Sequence, residues 1–166
     1  MTAFQPVARP TSADLLGQTQ EELDQLFALL PPVSIEQAGG VHRGTLMAIL
    51  GLNWLPRPLA RGLYRLLALP INPWRGKSFE AGAGANRWFT AHGPSFGRYR
   101  VETRDSPVDG QPSLWLDYDV PENIGLLRPI RGEARVLGDG LVLARMNWQG
   151  KAGLHRVLYF TLTPAD

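Results

Sequence analysis

After Pro70 the chain breaks into short runs in which apolar and polar residues alternate, and this constrains the fold more than any other feature. The runs cover 74–80, 86–91, 97–104, 113–120, 130–137, 140–148 and 154–163. A period of two marks a strand with one buried face. The links are rich in Gly, Pro, Asp and Asn, as in Gly82-Ala-Gly84, Asp105-Ser-Pro-Val-Asp-Gly110 and Gly138-Asp-Gly140. Gly-Asp-Gly between two alternating runs is a hairpin signal. No link is long enough for a crossover helix, so the strands must run antiparallel. Such a sheet has to close, or be covered, to hide its edges. The expected class is mainly β (α+β): an antiparallel, closed barrel with N-terminal helices packed at one end.

The first part of the chain reads differently. Residues 1–11 look like a loose arm, with Pro6 and Pro10 and no periodicity. The remainder, 12–166, is expected to be one domain, helical over 12–70 and β-rich over 71–166, and 166 residues suit a single core. Thr19 and Glu22 make a capping-box pattern ahead of an apolar stripe at Leu23, Leu26, Phe27 and Leu30. Pro31-Pro32 stops that helix. Ser34 and Gln37 repeat the capping pattern and open a short turn ended by Gly39-Gly40. A further helix is expected over roughly 56–68, with prolines near its start, where a missing N–H costs little.

Between Glu36 and Glu80 the chain holds no acid, while it holds Arg43, Arg57, Arg61, Arg65, Arg75 and Lys77. Arg57, Arg61 and Arg65 recur every fourth residue and so share one helix face. Leu55, Leu59, Leu63, Leu66 and Leu67 fall largely on the other. A basic amphipathic helix of this kind, with Trp54 at its start, suits an anionic membrane surface or the lid of a pocket. It is equally an ordinary packed helix with a solvated basic face. Of the 17 basic residues only Lys77 and Lys151 are lysines, a bias that favours anion recognition or simply reflects a GC-rich genome.

Composition removes several classes. There is no cysteine, so disulfides and thiolate metal sites are out of the question, which fits a reducing compartment. The start shows no secretory signal and no run is apolar enough to span a membrane as a helix, so a cytoplasmic location is expected. A net charge of +2 argues against nucleic acid as a partner. His42, His92 and His155 lack metal-ligand spacing, and neither a metal nor a cofactor is expected. Ser95 stands in a G-x-S-x-G spacing, but Pro94 and the strand-like run that follows contradict a nucleophile elbow.

Alternation gives the last strands two faces. Gly132, Ala134, Val136, Val142, Ala144, Met146, Trp148, Leu158, Phe160 and Leu162 fall on the apolar face and are placed inside. Arg131, Glu133, Arg135, Arg145, Asn147, His155, Tyr159 and Thr161 fall on the other. The small inward residues leave either a ligand cavity or space that larger side chains fill. The residues expected to line a ligand are Trp74, Trp115, Tyr118, Arg131, Arg145, Met146, Trp148 and Phe160. His42 and Asp119 are weaker candidates for acid–base work. Each has a plainer reading: Asp119 shapes a turn, and Arg131, Glu133 and Arg135 form an exposed charge ladder.

The segments in order resemble proteins with a GXWXG-motif region followed by a DUF4334 domain. The likeness lies in Leu23-Asp-Gln-Leu-Phe-Ala-Leu-Leu-Pro-Pro-Val33, Gly40-Val-His-Arg-Gly44 and Trp74-Arg-Gly-Lys-Ser-Phe79. It continues in Leu116-Asp-Tyr-Asp-Val-Pro121, Arg128, Leu137-Gly-Asp-Gly-Leu-Val-Leu143 and Val157-Leu-Tyr-Phe-Thr-Leu162. His42 stands where the motif has tryptophan. The resemblance implies a lipocalin-like barrel and carries over no catalytic residue. Three functions follow: a binding protein for a small hydrophobic or amphiphilic, anionic molecule; an isomerase, cyclase or hydrolase using the same cavity; and a membrane-surface module using Arg57, Arg61 and Arg65.

Overall fold

A computed structural model describes residues 10–165. Eight strands form a closed antiparallel barrel in simple up-and-down order. They are β1 (Gly40–Met47), β2 (Trp74–Glu80), β3 (Ala83–Trp88), β4 (Ser95–Asp105), β5 (Pro112–Asp117), β6 (Ile130–Gly138), β7 (Leu141–Gly150) and β8 (Gly153–Pro164). Pairing of β8 with β1, from His42↔Pro164 to Met47↔Tyr159, shuts the sheet and removes its edges. Three helices precede or interrupt the strands: α1 (Ser12–Leu15), α2 (Gln20–Leu29) and α3 (Arg57–Leu67). Of the arm read over 1–11, residues 1–9 lie outside the described residues, and Thr11 caps α1 in a capping box with Asp14.

Seven strands match the alternating runs, and the eighth, β1, lies inside the region read as helical. Its inward phase is His42, Gly44 and Leu46, which is not an apolar stripe. Gly44 is there because the Trp74 ring lies on the backbone: a Cβ would meet that ring at 2.1 Å. The capped turn of Ser34 and Gln37 is present, with both backbone N–H groups satisfied at 3.1 Å.

Antiparallel order puts the β1–β2, β3–β4, β5–β6 and β7–β8 connections at one end and the other three at the opposite end. The second end is plugged by the segment after α2. Pro32 bridges Arg135 of β6, and Val33 and Ala38 pack against the interior core. The first is called the α3 end, since α3 belongs to its longest connection. α1, α2 and α3 lie along the barrel wall, where Leu15, Leu23, Phe27, Ala60 and Tyr64 bury against Met47, Leu143 and Tyr159. Strands β7, β8 and β1 are therefore buried on both faces there, one toward the barrel interior and one toward the helices.

Candidate functional site: a buried amine in the barrel

Inside the barrel the apolar rule is broken by a few polar side chains, and one of them, Lys77, is a cation. Lys77 of β2 pairs across the sheet with His42 of β1 and Asn86 of β3, and its exposure is only 4%. A register shift between Trp74 and Gly76 brings Trp74 and Lys77, three residues apart, onto the inward face together. Gly76 makes the irregularity feasible. Its φ is +144°, and a Cβ there would sit 1.9 Å from the His42 carbonyl oxygen.

The ammonium nitrogen donates to Asn86 Oδ1 at 2.6 Å and to the Tyr118 hydroxyl at 2.5 Å. Tyr118 donates to Asn86 Oδ1 at 3.2 Å, and the Trp74 indole N–H reaches the same oxygen at 3.4 Å. Asn86 is thus the hub that orients the cluster. Around the nitrogen stand the rings of Tyr99, Phe160, Tyr118 and Trp74, with centroids at 4.9, 5.2, 5.2 and 6.0 Å. Trp74 and Phe160 meet edge to face at 5.5 Å. This is a cation–π box. Among the described residues no carboxylate forms an ion pair with Lys77. Burial alone lowers its pKa from the ordinary 10.5 to about 7. Burial likewise raises the Tyr118 pKa, partly offset by the bond to Asn86.

Two chemistries follow from this arrangement. Protonated, Lys77 is a cation without a counter-ion in an apolar box, ready for an anionic oxygen. Neutral, it is a desolvated amine with basic and nucleophilic character. His42 lies on the same wall toward the plugged end, edge-on to Phe79 at 5.6 Å. Its Nδ1 is buried and has no hydrogen-bond partner among the described residues, and burial lowers its pKa. A cleft of about 250 Å³ lined by Val33, Gln37, His42, Val136, Gly138 and Leu141 opens beside it.

Of the residues expected to line a ligand, Trp74, Tyr118 and Phe160 converge on Lys77, and Met146 packs against the same core. Trp148 pairs with the inward Ile130 at the α3 end and is 36% exposed, so it rims that mouth. Trp115, Arg131 and Arg145 do not belong to this set. Each lies on the outer face, because it alternates with an inward neighbour: Leu114 and Leu116, Ile130 and Gly132, Ala144 and Met146. Trp115 is covered by the Arg104 guanidinium at 4.8 Å. Arg131 bonds backbone carbonyls and pairs with Asp117 at 3.2 Å.

Arg145 has a structural task beneath α2. It donates to Glu133 at 2.6 Å and to Ser106 at 3.1 Å, and Asn147 donates to the same Glu133 at 3.0 Å. Arg135 holds both oxygens of Asp109 at 2.8 Å and donates to the Phe27 carbonyl at 2.8 Å. Both guanidinium carbons lie 4.3 Å from the Phe27 ring centroid. Glu133 and Arg135 are fully buried, so this is no exposed charge ladder. Burial would lower the Arg145 pKa, but Glu133 outweighs it and the net shift is upward.

Asp119 is on the surface, paired with Arg128 at 2.6 Å, and does not converge with His42. Arg57 pairs with Glu22 and Arg61 donates to the Leu16 carbonyl, so two of the three helix arginines tie α3 to α1 and α2. The small inward residues are already accommodated by neighbours: a Cβ on Gly132 would meet Leu116 at 3.0 Å. Ala134 and Ala144 sit in one continuous core with Leu114, Leu116 and Phe160.

Sequence reasoning missed Lys77, Asn86 and Tyr99 as site residues. The signal was present, for Lys77 lies in phase with Phe79 within an alternating run, and so on the inward face.

No protein-family model matches the chain, and no curated protein sequence matches it. A crystal structure of a protein from Thermomonospora curvata is similar over 90% of this chain and 89% of that one, with a TM-score of 0.56 and 20% identity. That likeness shows a shared fold.

Proposed function

We propose that the barrel binds a small amphiphile whose anionic head, a carboxylate, is taken up by Lys77 and Tyr118. One observation carries this reading: the interior holds a buried amine whose hydrogen-bond partners, Asn86 and Tyr118, are both neutral. Ligand sites are mostly apolar with a few converging polar groups, and this cluster has that form. A bound carboxylate would supply the missing counter-charge and restore the protonated amine. The apolar tail would run past Phe160, Met146 and Leu158 toward Trp148. Access requires the β5–β6 connection to move, since Leu127 packs against the core from there. The segment Trp74-Arg-Gly-Lys-Ser-Phe79, which carries part of the resemblance to GXWXG/DUF4334 proteins, supplies Trp74 and Lys77.

Native mass spectrometry and quenching of tryptophan fluorescence test the reading, with dodecanoate compared against dodecanol. Dodecanoate should bind one to one and more tightly than the alcohol. The K77M variant should lose about tenfold or more for the acid and little for the alcohol, as expected when a charge-assisted bond is removed. Equal binding of acid and alcohol, or a K77M variant that binds dodecanoate like the parent, would overturn it.

A further inference from the structure

The two ends of the barrel differ sharply in surface chemistry. The connections at the α3 end carry most of the exposed large apolar side chains. Ile71 is 67% exposed, Phe89 68%, Leu126 69% and Ile124 55%, with Leu66 and Leu69 beside them. At the plugged end the connections 81–82, 106–111 and 139–140 contribute only Val108. Charge follows the same division. Those three connections and the plug, 31–39, hold Glu36, Asp109 and Asp139 and no Lys or Arg. The connections at the α3 end hold Arg57, Arg61, Arg65, Arg128 and Lys151 against Asp119 and Glu122.

Part of the apolar set at the α3 end is held in place by hydrogen bonds. Arg75 donates to the carbonyls of Leu69 at 3.3 Å and Phe89 at 3.2 Å, and the Phe89 N–H donates to the Pro73 carbonyl at 2.6 Å. These bonds fasten Leu69, Ile71 and Phe89 into one patch. Phe89 is held at φ +66°, a left-handed conformation that aromatic residues seldom adopt. Its ring is presented to solvent at the cost of backbone strain. Among the described residues Arg65 and Lys151 form no ion pair with a carboxylate and Arg75 is engaged with backbone carbonyls, so the charges of Arg65 and Lys151 are available to a partner.

We propose that the α3 end is a docking surface for an anionic lipid bilayer. Ile71, Phe89, Ile124 and Leu126 enter the interfacial layer while Arg65 and Lys151 meet the headgroups. Apolar insertion combined with basic flanks is the physical basis of such binding. The plugged end, whose connections hold no Lys or Arg, then faces away from the membrane, so the charge asymmetry orients the molecule. This proposal does not rest on the ligand reading, and of the arginines the helix periodicity singles out it uses Arg65 alone, because Arg57 and Arg61 are engaged within the fold.

Co-sedimentation with phosphatidylcholine vesicles, with and without phosphatidylglycerol, tests it at low and high salt. Binding should need the anionic lipid and weaken with salt. The I71D/L126D double variant should abolish it, and K151Q should weaken it about fivefold. L29D is the control, since Leu29 is more exposed (84%) but is the last residue of α2, next to the plug at the other end of the barrel. It should bind like the parent, and all three variants should keep the parent's circular dichroism and melting temperature. Absence of binding at low salt, or equal loss in L29D, would overturn the proposal. So would self-association that I71D/L126D abolishes without any vesicle binding, which would assign the face to a second copy of the chain.

Discussion

Buried cations occur on both faces of the barrel wall, and they are treated in opposite ways. On the outer face Arg135 and Arg145 lie beneath α2 with Asp109, Glu133, Ser106 and backbone carbonyls around them. On the inner face Lys77 has an amide, a phenol and four rings. In the outer set each arginine has a carboxylate partner: the network fixes helix to barrel, and among the described residues only Arg135 Nε and Asn147 Oδ1 within it lack a hydrogen bond. The inner amine, when protonated, has a positive charge with no negative partner among the described residues. Desolvating such a group is unfavourable, and a fold that keeps it gains nothing in stability from doing so. The contrast separates a structural network from a candidate site more clearly than burial could, since both groups are buried.

The largest expected effect lies on the outer face. E133Q or R145M removes one partner and strands the other charge in the interior. Stability should fall by about 3 to 5 kcal/mol in urea unfolding, since a broken buried pair leaves an uncompensated charge. A loss under about 1 kcal/mol would mean that water reaches this network. K77M should act in the reverse direction. Its thermal and urea unfolding should show a gain of about 1 to 3 kcal/mol near neutral pH, because a desolvated amine gives way to an apolar chain of similar shape. A comparable loss in K77M would place Lys77 among the structural cations and erase the distinction.

The pH dependence sharpens the same contrast. With Lys77 at about pKa 7 when folded and 10.5 when unfolded, the unfolded chain keeps a proton that the folded chain releases between those values. The Lys77 contribution should therefore improve as pH rises from about 7 to 10.5 and be flat at its least favourable below 7. Subtracting K77M unfolding curves from those of the parent isolates it. A difference that does not change with pH would contradict the burial of an uncompensated amine. The smallest effect is expected at the surface, where D119N breaks the exposed pair with Arg128. Its cost should be about 0.5 kcal/mol, and high salt should reduce it further.

How far this was legible in the sequence depends on the phase of alternation. Seven strands could be read from their period and turns, and the inward set from Gly132 to Leu162 is the set found inside. Strand β1 escaped because its inward residues are His42, Gly44 and Leu46, and two glycines bracket a histidine where a stripe of large apolar residues would be expected. Gly44 makes sense only once Trp74, thirty residues away, lies across it. Trp74, Tyr118 and Phe160 were legible as lining residues because aromatics in phase with an apolar face turn inward. Arg145 and Arg131 were assigned to the ligand by chemistry although their phase already pointed outward. Phase decides where a side chain goes, and chemistry decides only what it can do there. Lys77 is the converse case: its phase with Phe79 indicated the interior, and its charge indicated the surface. Its hydrogen bond to Tyr118, 41 residues distant in the chain, could not be read from local pattern.

The most direct test uses the fact that Lys77 and Lys151 are the two lysines of the chain. Carbon-13 labelling of the lysine side chains gives two ε-CH₂ signals to follow by NMR across pH, with and without dodecanoate. Lys77 should titrate near 7 alone and at higher pH with dodecanoate bound. A Lys77 titration near 10.5 that dodecanoate leaves unmoved would contradict the account.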